Sequence, residues 1–146
     1  MAMNVGEPEP PANAFSHRFS VRAEDIDELG HAGNVSWVRW VGELAAAHSR
    51  SVGLGLERYR ELGVLWVVRR HELDYLGQAF EGESLVGLTW VESMRGATSL
   101  RRTLLRRERD GALLGRAATT WVLIELATGK PRRVPAELMA RYGSSG

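Results

Sequence analysis

One long helical segment followed by four long extended segments constrains the fold of this chain more than any other feature. From about Asn34 to Val52 the apolar positions Trp37, Trp40, Val41, Leu44 and Val52 recur at the three-to-four spacing of one helix face. The other side is also poor in charge, because Val38, Gly42, Ala45, Ala46 and Ala47 dilute Arg39, Glu43 and Arg50. A helix apolar nearly all round is a buried one. The rest of the chain is therefore expected to wrap around it. Asn34 is the expected N-cap, since its side-chain oxygen can accept a bond from a free N–H of the first turn. Gly42 in the helix interior costs up to ~1 kcal/mol relative to alanine and points to close packing there, against the sheet or a partner.

Phe15 to Ala23 alternates in the manner of a strand, and Leu56–Leu62 is a short helical piece. The extended segments are Val64–Tyr75, Glu83–Arg95, Thr98–Arg109 and Leu113–Leu126. Their breaks, "LGQAFEGE", "RGA", "RDGA" and "ATGKP", are rich in glycine and polar residues. Short connections between long consecutive strands predict antiparallel hairpins, here a four-strand meander. Val134–Tyr142, opened by Pro135, is a predicted terminal helix. Residues 15–142 read as a single domain without internal repeats. The stretch "MAMNVGEPEPPANA" (residues 1–14) reads as a disordered leader and "GSSG" (143–146) as a loose tail.

Composition excludes several function classes. Cysteine is absent, which removes a cysteine nucleophile, disulfides and a Cys-ligated zinc or iron–sulfur site. Lys+Arg number 19 against 18 Asp+Glu, so charge gives no reason to expect nucleic acid as a partner. No apolar run approaches the ~20 residues that span a bilayer. The N-terminus is neither basic nor apolar and so is not a secretory signal; a cytoplasmic location is expected. His17 and His71 have strand contexts with no acidic cluster around them, and no metal is expected.

The stretch "EDIDELGHAGNVSWVRW", Glu24 to Trp40, places two acids ahead of a Gly-His pair at the mouth of the long helix. It resembles the Asp-x-Asp-x-x-Gly-His-x-x-Asn-x-x-Tyr-x-x-Trp signature of hotdog-fold acyl thioesterases of the 4-hydroxybenzoyl-CoA thioesterase type. Here the pattern is read by Asp25, Asp27, Gly30, His31, Asn34, Trp37 and Trp40. The likeness continues through "HELDYLGQAFEGESL" and "ATGKPRRVP" and covers nearly the whole chain after residue 15. Three positions depart from it: Gly33 replaces an asparagine common in one branch, Trp37 replaces the usual tyrosine, and Asn34 stands where some relatives carry a histidine. The resemblance implies an α+β hotdog fold, a curled antiparallel sheet wrapped around one long buried helix. It also implies hydrolysis of a fatty-acyl or aroyl thioester of coenzyme A or acyl carrier protein. No cofactor is implied beyond the carrier. Hotdog proteins pair their sheets, so a homodimer or homotetramer with the active site at the subunit interface is expected.

The family's catalytic aspartate corresponds to Asp27, as nucleophile or as general base for water. A helix start offers free N–H groups and the positive end of the dipole, so amides around Gly33, Asn34 and Val35 form a candidate oxyanion site. Gly33 would let a ligand approach the backbone closely. Asn34 and His31 are candidates for orienting substrate or tuning the acid, with capping and loop-shaping as their plainer roles. Asp25 is assigned to the loop's own backbone. Trp37 and Trp40 are expected in the core, with Trp37 also a candidate wall of the acyl site. Glu43 is read as structural and His48 as a satisfied core or interface histidine. The pairs Arg69-Arg70, Arg101-Arg102, Arg106-Arg107 and Arg132-Arg133 are read as exposed strand arginines that keep the sheet soluble. Two rival functions fit the same fold: a hydratase or dehydratase on acyl thioesters, and a non-catalytic acyl-thioester-binding protein.

Overall fold

A computed structural model describes residues 8–143 of the chain. The elements follow the order β1 (Phe15–Ser20), α1 (Asn34–Ser51), α2 (Leu56–Leu62), β2 (Val64–Tyr75), β3 (Ser84–Arg95), β4 (Thr98–Arg107), β5 (Leu113–Glu125) and α3 (Ala136–Arg141). Residues 1–7 of the expected leader and 144–146 of the expected tail lie outside the described residues. No helix among the described residues is long and apolar enough to cross a membrane.

All five strands form one antiparallel sheet in the order β1-β3-β4-β5-β2. The strands β3, β4 and β5 form the expected meander, and Gly96 supplies the left-handed turn residue between the first two at φ +59°. The first connection departs from expectation. β2 pairs with β5, Val64 opposite Glu125 and Tyr75 opposite Gly115, and not with β3. The segment between β2 and β3 is a crossover, pinned at Gly77 to the Leu114 carbonyl (3.0 Å) and at Gly82 to the Val21 carbonyl (2.9 Å). A segment that finds backbone partners on two other elements has no need to close a hairpin. Register shifts at Val68/Arg70, Val91/Ser93 and Leu105/Arg106 mark bulges, which bend the sheet around the helix.

The face of α1 carrying Trp37, Trp40, Val41 and Leu44 packs with Leu85, Leu105 and Ala117 of the sheet. A second core of Leu54, Tyr59, Val64, Met94, Leu123 and Leu138 ties α2 and α3 to the far end. The close approach of helix to sheet is made at Gly87 of β3, where a Cβ would stand 2.5 Å from Leu44 Cδ1. At Gly42, where close packing against the sheet or a partner is expected, nothing of this chain lies within 4 Å of the place its Cβ would occupy, so the contact with the sheet is not made there. The helix is thus buried on its sheet side only, while Val35 and Val38 face outward at 77% and 42% exposure.

Candidate active site at the mouth of α1

The loop between β1 and α1 is fixed by its own backbone. The Asp27 N–H donates to the His31 carbonyl at 3.0 Å, and the Gly30 N–H to the Asp27 carbonyl at 3.1 Å. Gly30 turns the chain there at φ +87°, a conformation open to glycine. The Ala32 N–H reaches the Ala79 carbonyl at 2.8 Å, so the β2–β3 crossover buttresses the loop from the other side.

The two acids of the loop are held in opposite ways. Asp25 is 3% exposed; its carboxylate accepts from the Arg22 N–H at 2.9 Å and pairs with Arg39 of α1. Burial and these partners commit it to holding the loop on the helix. Asp27 is exposed, and its Oδ1 accepts from the Leu29 N–H at 2.8 Å. Its Oδ2 lies 3.3 Å from where a Gly33 Cβ would stand. A side chain at position 33 would press on Asp27, which would have to give by a few tenths of an ångström. One oxygen is oriented by the backbone and the other faces the positive end of the helix, a suitable setting for a carboxylate that acts on water or a carbonyl.

The helix cap differs from expectation. Gly33 is the N-cap and Asn34 the first helical residue, with no side-chain cap hydrogen bond. The loop's anchoring onto Asp25 and Ala79 already fixes the chain entry, which leaves the Asn34 side chain exposed rather than capping. The Gly33 N–H donates to the Asp25 carbonyl at 3.0 Å and is not free for an oxyanion. The Asn34 and Val35 amides sit in the first turn, which has no intrahelical acceptors.

A cavity of about 440 Å³ lies beside these groups, lined by Asp27, His31, Asn34, Trp37, Tyr75 and Gln78 among others. It gathers four of the residues singled out in the sequence; the side chain of Val35 points out to solvent instead. His31 Nδ1 donates to the Ala32 carbonyl at 3.2 Å, which leaves Nε2 without a partner among the described residues. Trp37 is both core and wall, packed edge-on against Tyr75 (centroids 6.0 Å apart) and Trp40 (5.1 Å). Tyr75 and Gln78 were not singled out by sequence, although the segment "HELDYLGQAFEGESL" that carries them was. Their signal is position: Tyr75 ends β2 and Gln78 follows three residues on, where the register sets that end beside the start of β5. Glu43 is exposed and pairs with Arg39 at 3.5 Å, consistent with a structural role. Among the described residues no group of three or more His, Asp or Glu is arranged to hold a metal ion.

A curled antiparallel sheet on one central helix is the hotdog fold, and solved thioesterases share it. A 1,4-dihydroxy-2-naphthoyl-CoA thioesterase from Synechocystis superposes with TM-score 0.82 at 18% identity, covering 89% of this chain and 96% of that one. An acyl-ACP thioesterase from Bacteroides thetaiotaomicron does so with TM-score 0.80 at 21% identity, covering 91% and 54%. The chain belongs to the acyl-ACP thioesterase N-terminal domain family, which matches residues 12–142. Among curated relatives, a palmitoyl-acyl carrier protein thioesterase of Gossypium hirsutum is 29% identical over 131 residues, 85% of this chain and 32% of that one. The chain thus spans about a third of the length of that curated relative.

Proposed function

We propose that this chain hydrolyses acyl or aroyl thioesters of acyl carrier protein or coenzyme A, with Asp27 as the reacting carboxylate. The observation that carries the reading is an open carboxylate, Asp27, sharing one cavity with His31 and Asn34 at the positive end of α1. Membership of the acyl-ACP thioesterase family and the Asp-x-Asp-x-x-Gly-His-x-x-Asn spacing support it. The thioester carbonyl oxygen enters facing the Asn34 and Val35 N–H groups, which stabilise the charge that develops on it. Asp27 takes a proton from water as the hydroxyl adds to the carbonyl carbon. The C–S bond then breaks, and the proton passes to the departing thiolate. Direct attack by Asp27 on the carbonyl instead breaks the C–S bond and expels the thiolate, leaving an anhydride; water then opens it to the free acid and the Asp27 carboxylate, its proton going to the thiolate, so both routes use the same residue and the same amides. His31 Nε2 and the Asn34 amide orient the carrier side, and Trp37 with Tyr75 provide the aromatic wall for the acyl or aroyl group.

The outer edge of β2 has no strand beside it among the described residues, and Val35 and Val38 leave an apolar patch on α1. Both favour a homodimer or homotetramer, because an unpaired long edge and an exposed apolar face are costly in a monomer. The test of function is thiol release from a panel spanning palmitoyl-acyl carrier protein, medium-chain acyl-CoA and 4-hydroxybenzoyl-CoA. Turnover of at least one class is expected; saturable binding of every substrate without thiol release would overturn the hydrolytic reading.

A further inference from the structure

A second cavity of about 440 Å³ lies at the other end of the sheet, between the C-terminal half of α1, α2 and the strands. Its walls are largely apolar, with Leu54, Leu65, Val91 and Met94 among them, but Arg50, Arg101, Trp121, Ser99 and a group of hydroxyls also line it. Arg101 is only 4% exposed and has no carboxylate in ion-pair range among the described residues. Its guanidinium donates to His48 Nδ1 at 2.9 Å and to Thr89 Oγ1 at 3.1 Å, and lies 5.7 Å from the centre of the Tyr142 ring. These partners are neutral: burial, and then the Arg101 charge itself, hold His48 down at about 4. The neighbouring Tyr59 hydroxyl takes the Trp66 indole N–H at 3.0 Å and meets the Tyr142 hydroxyl at 2.6 Å; burial pushes Tyr59 well above the ordinary phenol range. Tyr142 in turn meets Ser49 at 2.7 Å, so these hydroxyls are already engaged with one another.

Trp121 Nε1 is buried with no acceptor among the described residues. The register sets Ser99 opposite Trp121 and Arg101 opposite Thr119, which makes Arg101 and Trp121 diagonal neighbours on one face of the sheet. A buried arginine is ordinarily paired with an acid, and a buried donor is ordinarily bonded. A buried charge with no counter-ion and a buried indole N–H with no acceptor among the described residues thus stand as neighbours on one wall of the cavity. Their common complement is an anionic oxygen attached to a hydrocarbon. We propose that this cavity binds a carboxylate-bearing apolar molecule, its carboxylate accepting from Arg101 and Trp121 Nε1 and its hydrocarbon lying along Leu54, Leu65, Val91 and Met94. The carboxylate has two sources of the same chemistry: a free aliphatic acid, or the far end of an acyl group that carries a second carboxyl. The proposal rests on this cavity alone and stands whether or not Asp27 performs hydrolysis.

Trp66 and Trp121 both line the cavity, so tryptophan emission of the full chain reports its occupancy. Decanoate and decanol are titrated into wild type, Arg101→Gln and Trp121→Phe, with calorimetry as the second readout. Decanoate is expected to bind about ten- to a hundred-fold tighter than decanol, the range of a charge-assisted hydrogen bond. Arg101→Gln is expected to erase that preference, and Trp121→Phe, which deletes one N–H from a partly exposed ring, to weaken decanoate several-fold while leaving decanol unchanged. The source is separated by comparing decanoyl-CoA with the mono-CoA thioester of decanedioic acid. A lower KM for the latter that vanishes in Arg101→Gln assigns the site to the acyl terminus; equal KM values alongside tight decanoate binding assign it to the free acid. Equal affinity for decanoate and decanol, or no binding of either with equal KM values for the two thioesters, would overturn the proposal.

Discussion

Replacing Gly87 by alanine tests how tightly α1 is seated on the sheet that presents the site. A Cβ at position 87 would stand 2.5 and 2.6 Å from the two terminal carbons of Leu44, which is 1% exposed in the middle of α1. Carbon atoms settle at about 3.5–4.0 Å, so either the Leu44 side chain leaves its rotamer or a gap of about 1 Å opens between helix and strand. Overpacking of that kind costs about 1–3 kcal/mol. Leu44→Ala alone leaves a cavity and costs about 2–5 kcal/mol. In the double variant the new methyl enters the space the leucine vacated, so the two losses should fall short of their sum by at least ~1 kcal/mol. Because α1 carries the Asn34 and Val35 amides at its end, a shift of about 1 Å in the helix is also expected to lower turnover by up to ~10²-fold. Urea unfolding midpoints of wild type, both single variants and the double variant measure the coupling, and thiol release measures the transmission to the site. Strictly additive losses, or a Gly87→Ala protein as stable and active as wild type, would refute the close seating.

Two further perturbations have clear signs. Asp25→Asn keeps the side chain's shape but removes the charge that holds the Arg22 N–H and Arg39, and is expected to cost about 1.5–3 kcal/mol by urea unfolding. Because Asp25 also anchors the loop that carries Asp27, turnover should fall with it; full activity in a destabilised variant would separate the two acids. His48 stays neutral in the fold down to about 4, while an unrestrained histidine protonates at 6.5, so the unfolded chain takes up the proton first. That part of the stability is present above about pH 6.5 and is lost as pH falls toward about 4, by about 3 kcal/mol over the window. His48→Asn, which offers an acceptor to Arg101 without titrating, should flatten this component of the unfolding midpoint; superimposable pH profiles of the two proteins would exclude it.

The element boundaries were legible because they are local. Helical spacing from Trp37 to Val52 and glycine-rich breaks such as "RGA" and "RDGA" place α1, β4 and β5 within a residue or two of where they stand. Strand order was not, since pairing joins residues distant in sequence: nothing around Tyr75 announces that its strand runs beside β5. That Asp25 is bound to its own loop's backbone was legible, but the crowding between position 33 and the Asp27 side chain was not, because it depends on where that side chain folds back. The arginine pairs show both outcomes. Alternation along β4 correctly gives Arg101 and Arg102 opposite faces, and Arg102 reaches out to Glu92 at 3.2 Å. Arg101, expected at the surface, lies in the interior on the same face as buried Ser99 and Thr103. A carboxylate partner in the sequence would have flagged it. Its partners are instead a histidine and a threonine, which carry no such signal.

The most direct measurement compares single-turnover thiol release by wild type and Asp27→Asn on whichever thioester of the panel wild type cleaves best, with unfolding midpoints measured alongside. The Asp27 carboxylate is exposed and, among the described residues, bonded only to the Leu29 N–H, so the variant should be as stable as wild type within about 0.5 kcal/mol. Its rate should fall by about 10²-fold or more, the contribution of a positioned carboxylate to proton transfer. An equally stable variant with an undiminished rate would contradict the placement of the chemistry at the mouth of α1.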